Sequence, residues 1–172
     1  MNYTITNPKG IDEQIQSSQN DLFAGLDWGN IDVFGRIRKN PTTDGFIPEA
    51  YIGGDEYREV YLNDEVNATI IFIKDENPVT DDFGKFWFSD VKCVVMVNLK
   101  QAFTNINHRA DTEAQIAVIK QLEKNKMFTI TGIEEGIPNI FQGFNFSKIT
   151  TDDMQPYHIF AVLGSMKYKI YC

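Results

Sequence analysis

Two stretches of the chain show the apolar spacing of amphipathic helices. The first stripe follows intervals of four, seven and four residues and consists of Ile11, Ile15, Leu22 and Leu26. Asn7-Pro8 precedes it with a capping residue and a proline, so we predict a helix over residues 8–26. The second stripe consists of Ala114, Val118, Ile119 and Leu122. Acidic residues near its start and lysines near its end interact favourably with the helix dipole. We therefore predict a helix over residues 111–126.

Most of the remaining apolar segments have β character. They cover residues 31–38, 59–63, 68–74, 85–99, 128–133, 142–149 and 157–171. The segment 85–99 is the most apolar in the chain and predicts a central strand. The element order predicts an α+β fold with a mostly antiparallel sheet and two helices packed on one face, in the order α-β-β-β-α-β. A length of 172 residues predicts a single domain.

Residues 40–54 interrupt this pattern with turn-forming residues. The interruptions are Asn40-Pro41, Asp44-Gly45, Pro48 and Gly53-Gly54. They predict a long Pro/Gly-punctuated loop, and loops of this length are usually functional or ordered by a partner. Its apolar side chains are Phe46, Ile47, Tyr51 and Ile52. Because such side chains are costly to expose, we predict that they contact a neighbouring subunit, with Trp87 as a second interface candidate.

Composition and charge narrow the functional classes. A hydrophobic content of 42% excludes a disordered chain, and a net charge of −8 argues against a protein that wraps a phosphate backbone. Residues 44–82 hold 11 acids and 2 bases, a local charge of −9. Two interpretations stay open: a solvated face that favours solubility, or a negative surface that repels something or meets a basic partner. The candidate residues for such a surface are Asp55, Glu56, Asp64, Glu65, Asp75, Glu76, Asp81 and Asp82.

Candidate nucleophiles and general bases lack the context that catalysis requires. His108 and His158 accompany no recognisable nucleophile motif, so we expect both to be structural. Cys93 lies in the apolar run 91–97 and is expected to be a small buried hydrophobe. Cys172 is the last residue, and neither cysteine has a second ligand at metal spacing. No catalytic residue is predicted.

Cofactor and nucleic-acid sites are also not predicted. The acidic pairs at 75–76, 81–82 and 152–153 do not follow calcium-loop spacing, and Gly53-Gly54 precedes two acids that would repel a phosphate. The aromatic run Phe86-Trp87-Phe88 could stack nucleic-acid bases, but few cations flank it, so core packing is favoured. We therefore predict no cofactor and no enzymatic activity. A small metal-dependent hydrolase using Asp81, Asp82 and His108 stays a minor alternative.

The first ten residues lack the apolar core of a signal peptide, and no window has the ~20 apolar residues of a membrane span. With only two cysteines in the chain, these features predict a cytoplasmic, reducing origin without membrane association.

The element order resembles that of the tail-terminator and neck-completion proteins of tailed bacteriophages. Three stretches carry the resemblance: IDEQIQ at 11–16 running on to Leu26, ADTE at 110–113 leading into FTITGIE at 128–134, and DDMQPY at 152–157. Residues 40–54 are not part of the general pattern. Together the three stretches touch most of the chain. They share with the family the type and order of their residues.

The resemblance implies a virion structural subunit, assembled in the bacterial cytoplasm, in a homo-oligomeric ring at the head–tail neck or tail. Its implied partners are neighbouring neck, portal or tail proteins, and DNA would pass through the ring without specific binding. The acidic surface would then face the channel or an adjoining ring. The alternative is a monomeric acidic α+β interaction module, such as an adaptor or an inhibitor.

Overall fold

A computed structural model describes residues 1–147, 149 and 156–170 of the chain. Nine strands and four helices lie in these residues. The strands are β1 (Asn2–Tyr3), β2 (Ile31–Thr42), β3 (Gly45–Gly53), β4 (Glu56–Glu59), β5 (Ala68–Lys74), β6 (Val79–Thr80), β7 (Trp87–Asn98), β8 (Phe128–Glu135) and β9 (Tyr157–Tyr168). The helices are α1 (Ile11–Gly25), α2 (Leu99–Ala102), α3 (Ala110–Leu122) and α4 (Ile137–Ile140).

The strands form one mixed sheet in the order β4-β3-β2-β5-β7-β9-β8. β2 runs parallel to β5, and the other neighbours along this path are antiparallel. The short strand β1 pairs with β2, and β6 pairs with β7. The predicted α+β class with a mostly antiparallel sheet is therefore confirmed, and β7 is a central strand as expected.

The two predicted helices pack on the same face of the sheet. α1 buries Ile15 and Leu22, and α3 buries Val118 and Leu122, in one cluster with inward-facing residues of the central strands. Helix α1 begins at Ile11, later than predicted. Asn7 and Gly10 both have positive φ angles, so the chain turns there and Asn7 does not cap the helix.

Polar side chains complete the interface between α1 and its surroundings. The Nδ2 of Asn125 donates to the Gln14 carbonyl and to the Ser18 hydroxyl, each at 2.9 Å. The Nε2 of Gln19 donates to the carbonyls of Tyr3 at 2.7 Å and Val33 at 3.0 Å. Ser18, Gln19 and Asn125 are all buried, so these bonds satisfy groups that water does not reach.

The opposite face of the sheet carries a second cluster, which the sequence prediction missed. α4 and the turns after it lay Ile137, Ile140, Phe141 and Phe144 over Ile71, Val94 and Met96. The predicted strand over 142–149 is wrong: the described residues form turns. Apolar residues at 137, 140, 141 and 144 follow helical spacing, which is the signal that identifies this segment.

The predicted loop over 40–54 is also wrong, because these residues form a β-hairpin. β2 continues to Thr42 and β3 begins at Gly45, so only two residues connect the strands. Pairing of β2 with β5 ends at Arg36, and pairing of β3 with β4 begins at Glu49. Pro41 therefore lies where β2 has a neighbour on one side only, a position that tolerates the missing proline N–H. Pro48 lies at the end of the β3–β4 pairing, where its carbonyl accepts from the Val60 N–H at 3.0 Å.

We call residues 37–59 the arm. It consists of the second half of β2 with β3 and β4, and it leaves the main sheet at an irregularity between Val33 and Arg36. The predicted strand over 59–63 lies elsewhere, at Glu56–Glu59, where it forms the outer edge of the arm. The arm connects back to the domain through Asn145, whose backbone N–H donates to the Phe46 carbonyl at 2.7 Å.

Candidate protein-interaction site

A cleft of about 390 Å³ lies between α1 and the arm. One wall consists of the N-terminal segment and the first two turns of α1, including Thr6, Asp12 and Gln16. The other consists of Arg36 and Arg38 of β2 with Tyr51 and Tyr57 of the arm. This volume falls in the range of about 300–1,000 Å³ that is typical of binding pockets.

Strand periodicity places the arginines on the cleft side. Arg36 and Arg38 are two residues apart on β2 and so project from the same face. The Arg36 guanidinium binds both carboxylate oxygens of Asp12, at 2.8 and 2.9 Å. This hydrogen bonding raises the pKa of Arg36, so the guanidinium stays charged, and its bidentate contact with Asp12 fixes α1 against β2.

Aromatic rings form the outer part of the cleft. The Arg38 guanidinium carbon lies 3.5 Å from the centroid of the Tyr57 ring, and its Nε and Nη2 donate to Glu49 at 3.1 and 3.0 Å. The rings of Tyr51 and Tyr57 meet edge to face with centroids 5.5 Å apart. Tyr57 is 45% exposed. The cleft therefore has an ordered aromatic wall that is open to solvent.

The four interface candidates of residues 40–54 divide between the two faces of the arm. Tyr51 lines the cleft, and Ile47 shares its strand face. Ile52 packs against the second core cluster, and Phe46, 44% exposed, lies beside Phe144 at a shallow depression. Side chains alternate along a strand, so the hairpin separates residues that a loop could have grouped.

Trp87, the fifth interface candidate, is half-buried and packs against the first core cluster. Its neighbour Phe86 lies under two cations that the sequence prediction did not anticipate. Lys167 Nζ is 3.9 Å from the Phe86 ring centroid and Lys169 Nζ is 5.1 Å from it. These ammonium groups occupy a position that a stacked nucleic-acid base would need.

Residues 81–86, which we call the Phe83 loop, connect β6 to β7. The Asp81 carboxylate accepts hydrogen bonds from the backbone N–H groups of Lys85 at 2.7 Å and Phe86 at 3.2 Å. The Gly84 N–H closes the turn on the Asp81 carbonyl, with Gly84 at a φ of 65°. At the tip, Phe83 is 84% exposed. The loop thus presents one aromatic side chain on an ordered turn.

The acidic candidates do not form one compact patch. Asp64 and Glu65 precede β5, whereas Asp75 and Glu76 follow it, so about 20 Å of strand separates the two pairs. Asp55 and Glu56 lie at the turn of the arm, and Asp81 and Asp82 lie in the Phe83 loop. Several have defined partners: Asp64 accepts from the Tyr157 hydroxyl at 2.5 Å, and Glu76 pairs with Lys39 at 2.8 Å.

The residues of the hydrolase alternative are not brought together. Asp81 precedes β7 in the chain, whereas His108 comes after the end of β7. The Nε2 atom of His108 lies 3.1 Å from the Glu113 carboxylate. β7 has 12 residues and is therefore about 35 Å long. Among the described residues, no group of three His, Cys, Asp or Glu side chains could hold a metal ion. The pair at 152–153 lies outside the described residues.

Cys93 is fully buried, as predicted, and burial raises the pKa of its thiol far above the ordinary value. Its sulfur is therefore uncharged and inaccessible. Cys172 lies outside the described residues. Within the described part of the chain, no helix combines the length and apolar character needed to cross a membrane.

His158 is expected to titrate below pH 6.5. The ring is half-buried, and this burial lowers its pKa more than nearby Glu135 and Asp111 raise it. The unfolded chain then binds a proton more readily than the folded chain, so acidification through 6.5 favours unfolding. NMR titration of the imidazole measures the midpoint directly. A midpoint at or above 6.5 contradicts the assignment, and His158→Gln should remove this part of the pH dependence of unfolding.

Sequence reasoning missed the cleft. The sequence feature that indicates the cleft is the alternation Arg36-Ile37-Arg38 after Gly35, which places two cations on one face of a strand.

Comparison with known proteins gave no match to any family model, curated protein or solved structure.

Proposed function

We propose that the chain is a non-enzymatic virion structural protein of a tailed phage. It forms a ring at the head–tail neck or in the tail, as a tail terminator, connector or related ring protein. Assembly takes place in the bacterial cytoplasm. Its partners are copies of itself and the adjoining portal, neck or tail proteins.

One observation carries the ring in this proposal: two different surfaces present ordered aromatic side chains to solvent. The cleft exposes Tyr57, and the Phe83 loop exposes Phe83, and the two are built from different elements. Aromatic residues are enriched at protein interfaces relative to the rest of the protein surface. A ring subunit needs two unlike patches, because each head-to-tail contact joins one surface to another. A simple adaptor needs only one.

The phage assignment rests on the resemblance in element order, to which the charge adds support. A net charge of −8 suits a channel wall that must not retain DNA. Because the acids are divided among several sites, only some of them can face such a channel. The pairs 75–76 and 81–82 are candidates, since β5 ends and β7 begins at the same end of the sheet.

The proposal predicts self-assembly of the purified full chain at micromolar concentration. Native mass spectrometry should detect a single closed oligomer of identical subunits, and electron microscopy should show rings. Both methods are needed, because a mass alone does not distinguish a ring from a compact assembly. A chain that stays monomeric at these concentrations contradicts the ring and favours the monomeric interaction module.

A further inference from the structure

We infer that β8 pairs with β8 of a second copy, antiparallel and about a two-fold axis, so that one sheet continues through both subunits. The axis passes between Thr131 and Gly132, which places Ile130 opposite Ile133 of the partner subunit. The inference goes beyond the proposed ring, because a two-fold contact does not close a ring and instead joins two rings or two free subunits.

The outer edge of β8 has unpaired backbone groups. β8 is the last strand of the sheet and has eight residues, and its only neighbour among the described strands is β9. Among the described residues, no backbone group of residues 129–134 bonds outside this pair. An edge of this kind offers N–H and C=O groups to another strand, and strand addition satisfies them.

Apolar side chains lie along the same edge. Ile133 lies opposite Val162 of β9, and Ile130 lies opposite Gly164. Val162 packs in the first core cluster, so both isoleucines project from the face that carries α1 and α3. Ile133 is 41% exposed. In the two-fold register each Ile133 meets Ile130 of the other copy, and this cross-strand pair removes apolar surface from water.

The residues before β8 carry an excess of positive charge. Lys124 and Lys126 are exposed, and neither forms an ion pair among the described residues. The Lys126 ammonium group donates to the Glu123 carbonyl at 3.1 Å. The two lysines and the exposed Glu123 carboxylate give this end of the strand a net charge of +1.

The last residues of β8 carry an excess of negative charge. Glu134 is neutralised by Lys92, whose Nζ lies 2.5 Å from its carboxylate. The Glu135 side chain is 60% exposed, and the neutral amide of Gln115 donates to it at 2.6 Å. His158, 3.8 Å away, is uncharged at neutral pH because burial lowers its pKa. This end of the strand therefore keeps an uncompensated carboxylate.

These charges identify the occupant as a second copy. Antiparallel pairing of β8 with itself brings the Glu135 end of each copy beside the Lys124–Lys126 end of the other, so both contacts are attractive. β4, at the opposite edge of the sheet, has four residues and would bring Glu56 beside Glu59 in the same arrangement. Opposed like charges destabilise strand pairs, so β8 rather than β4 is the self-complementary edge.

The first test closes the edge with proline. Thr131 is exposed and has no partner residue on β9, because the register shifts between Ile130 and Gly132. Proline is tolerated at such an irregularity but cannot donate to an added strand. Thr131→Pro should therefore halve the mass of the assembly, whereas Thr131→Ala, the matched control, should leave it unchanged. Native mass spectrometry measures the mass, and thermal unfolding checks that both variants fold.

The second test exchanges charges and does not depend on proline. Glu135→Lys should weaken the two-fold contact at least about tenfold at low salt, because it brings like charges together. Adding Lys126→Glu should restore the contact, a rescue that a role of Glu135 within one subunit does not explain. Glu13→Lys makes the same change of net charge at an exposed position of α1 and should leave the contact intact.

The outcomes separate this inference from the proposed ring. An assembly that keeps its full mass in Thr131→Pro and in Glu135→Lys overturns the β8 contact and leaves the ring in place. A dimer that both variants convert to monomers supports the contact and contradicts the ring. Rings that both variants reduce to half their mass support both proposals, and an unmodified chain that stays monomeric overturns both.

Discussion

Replacing Gln19 by glutamate is expected to lower the free energy of unfolding by about 3–5 kcal/mol, the range seen when a buried charge is left unpaired. The Gln19 side chain is 1% exposed, and its amide nitrogen donates to two backbone carbonyls, those of Tyr3 and Val33. A carboxylate of the same shape would place negative charge against both oxygens. Chemical denaturation followed by circular dichroism measures the loss.

Gln16→Glu is the matched control on the same helix. Gln16 accepts a hydrogen bond from the Ile5 N–H at 2.8 Å, a role that a carboxylate oxygen performs equally well. This variant should retain nearly full stability. The Gln19→Glu penalty should shrink on acidification, because burial raises the pKa of the new carboxyl and the folded state takes up a proton. Equal effects of the two variants would contradict the assignment of Gln19 as a buried donor.

Gly164→Ala is expected to destabilise the fold by about 3 kcal/mol or more, since it overpacks a rigid part of the sheet. Gly164 lies in β9 between Val91 of β7 and Ile130 of β8. An added Cβ would lie 2.4 Å from Cε2 of Phe128 and 2.7 Å from the Thr129 carbonyl oxygen. The ring is buried and the oxygen belongs to the backbone, so neither can move without disturbing β8.

Gly132→Ala provides the comparison in the neighbouring strand. Among the described residues, no neighbouring atom lies within 4 Å of the position that its Cβ would occupy. The control should therefore unfold within about 0.5 kcal/mol of the unmodified protein. Thermal and urea unfolding of the two variants distinguish overpacking from a general intolerance of alanine in these strands. A stable Gly164→Ala variant would require a different position for Phe128.

The helices show how far a periodic pattern predicts structure. The apolar stripes of α1 and α3 identified their buried faces because a helix exposes and hides residues at fixed intervals. The seven-residue interval between Ile15 and Leu22 contains Ser18, and the sequence pattern does not explain how this polar residue is buried. Asn125, more than 100 positions away, supplies the hydrogen bond that allows Ser18 to be buried.

The arm shows where local signals mislead. Pro41 and Pro48 predict a loop because proline disrupts central strands, but Pro41 lies where β2 has a single neighbour and Pro48 lies at the end of the β3–β4 pairing. Whether a strand has one neighbour or two is a property of the sheet and cannot be read from residues near the proline. The apolar side chains of residues 40–54 were identified as interface candidates, but their division between two faces follows from strand pairing.

The sequence by itself determined the α+β class, the two helices on one face and the central strand over most of residues 85–99. These features depend on the spacing of apolar side chains, which a folded chain must bury. Only the tertiary structure decided the contacts between distant segments. It placed Asp12 on Arg36, Tyr57 beneath Arg38, and Lys167 over Phe86. The separation is physical: burial patterns are local, whereas a cleft between distant segments depends on which strands become neighbours.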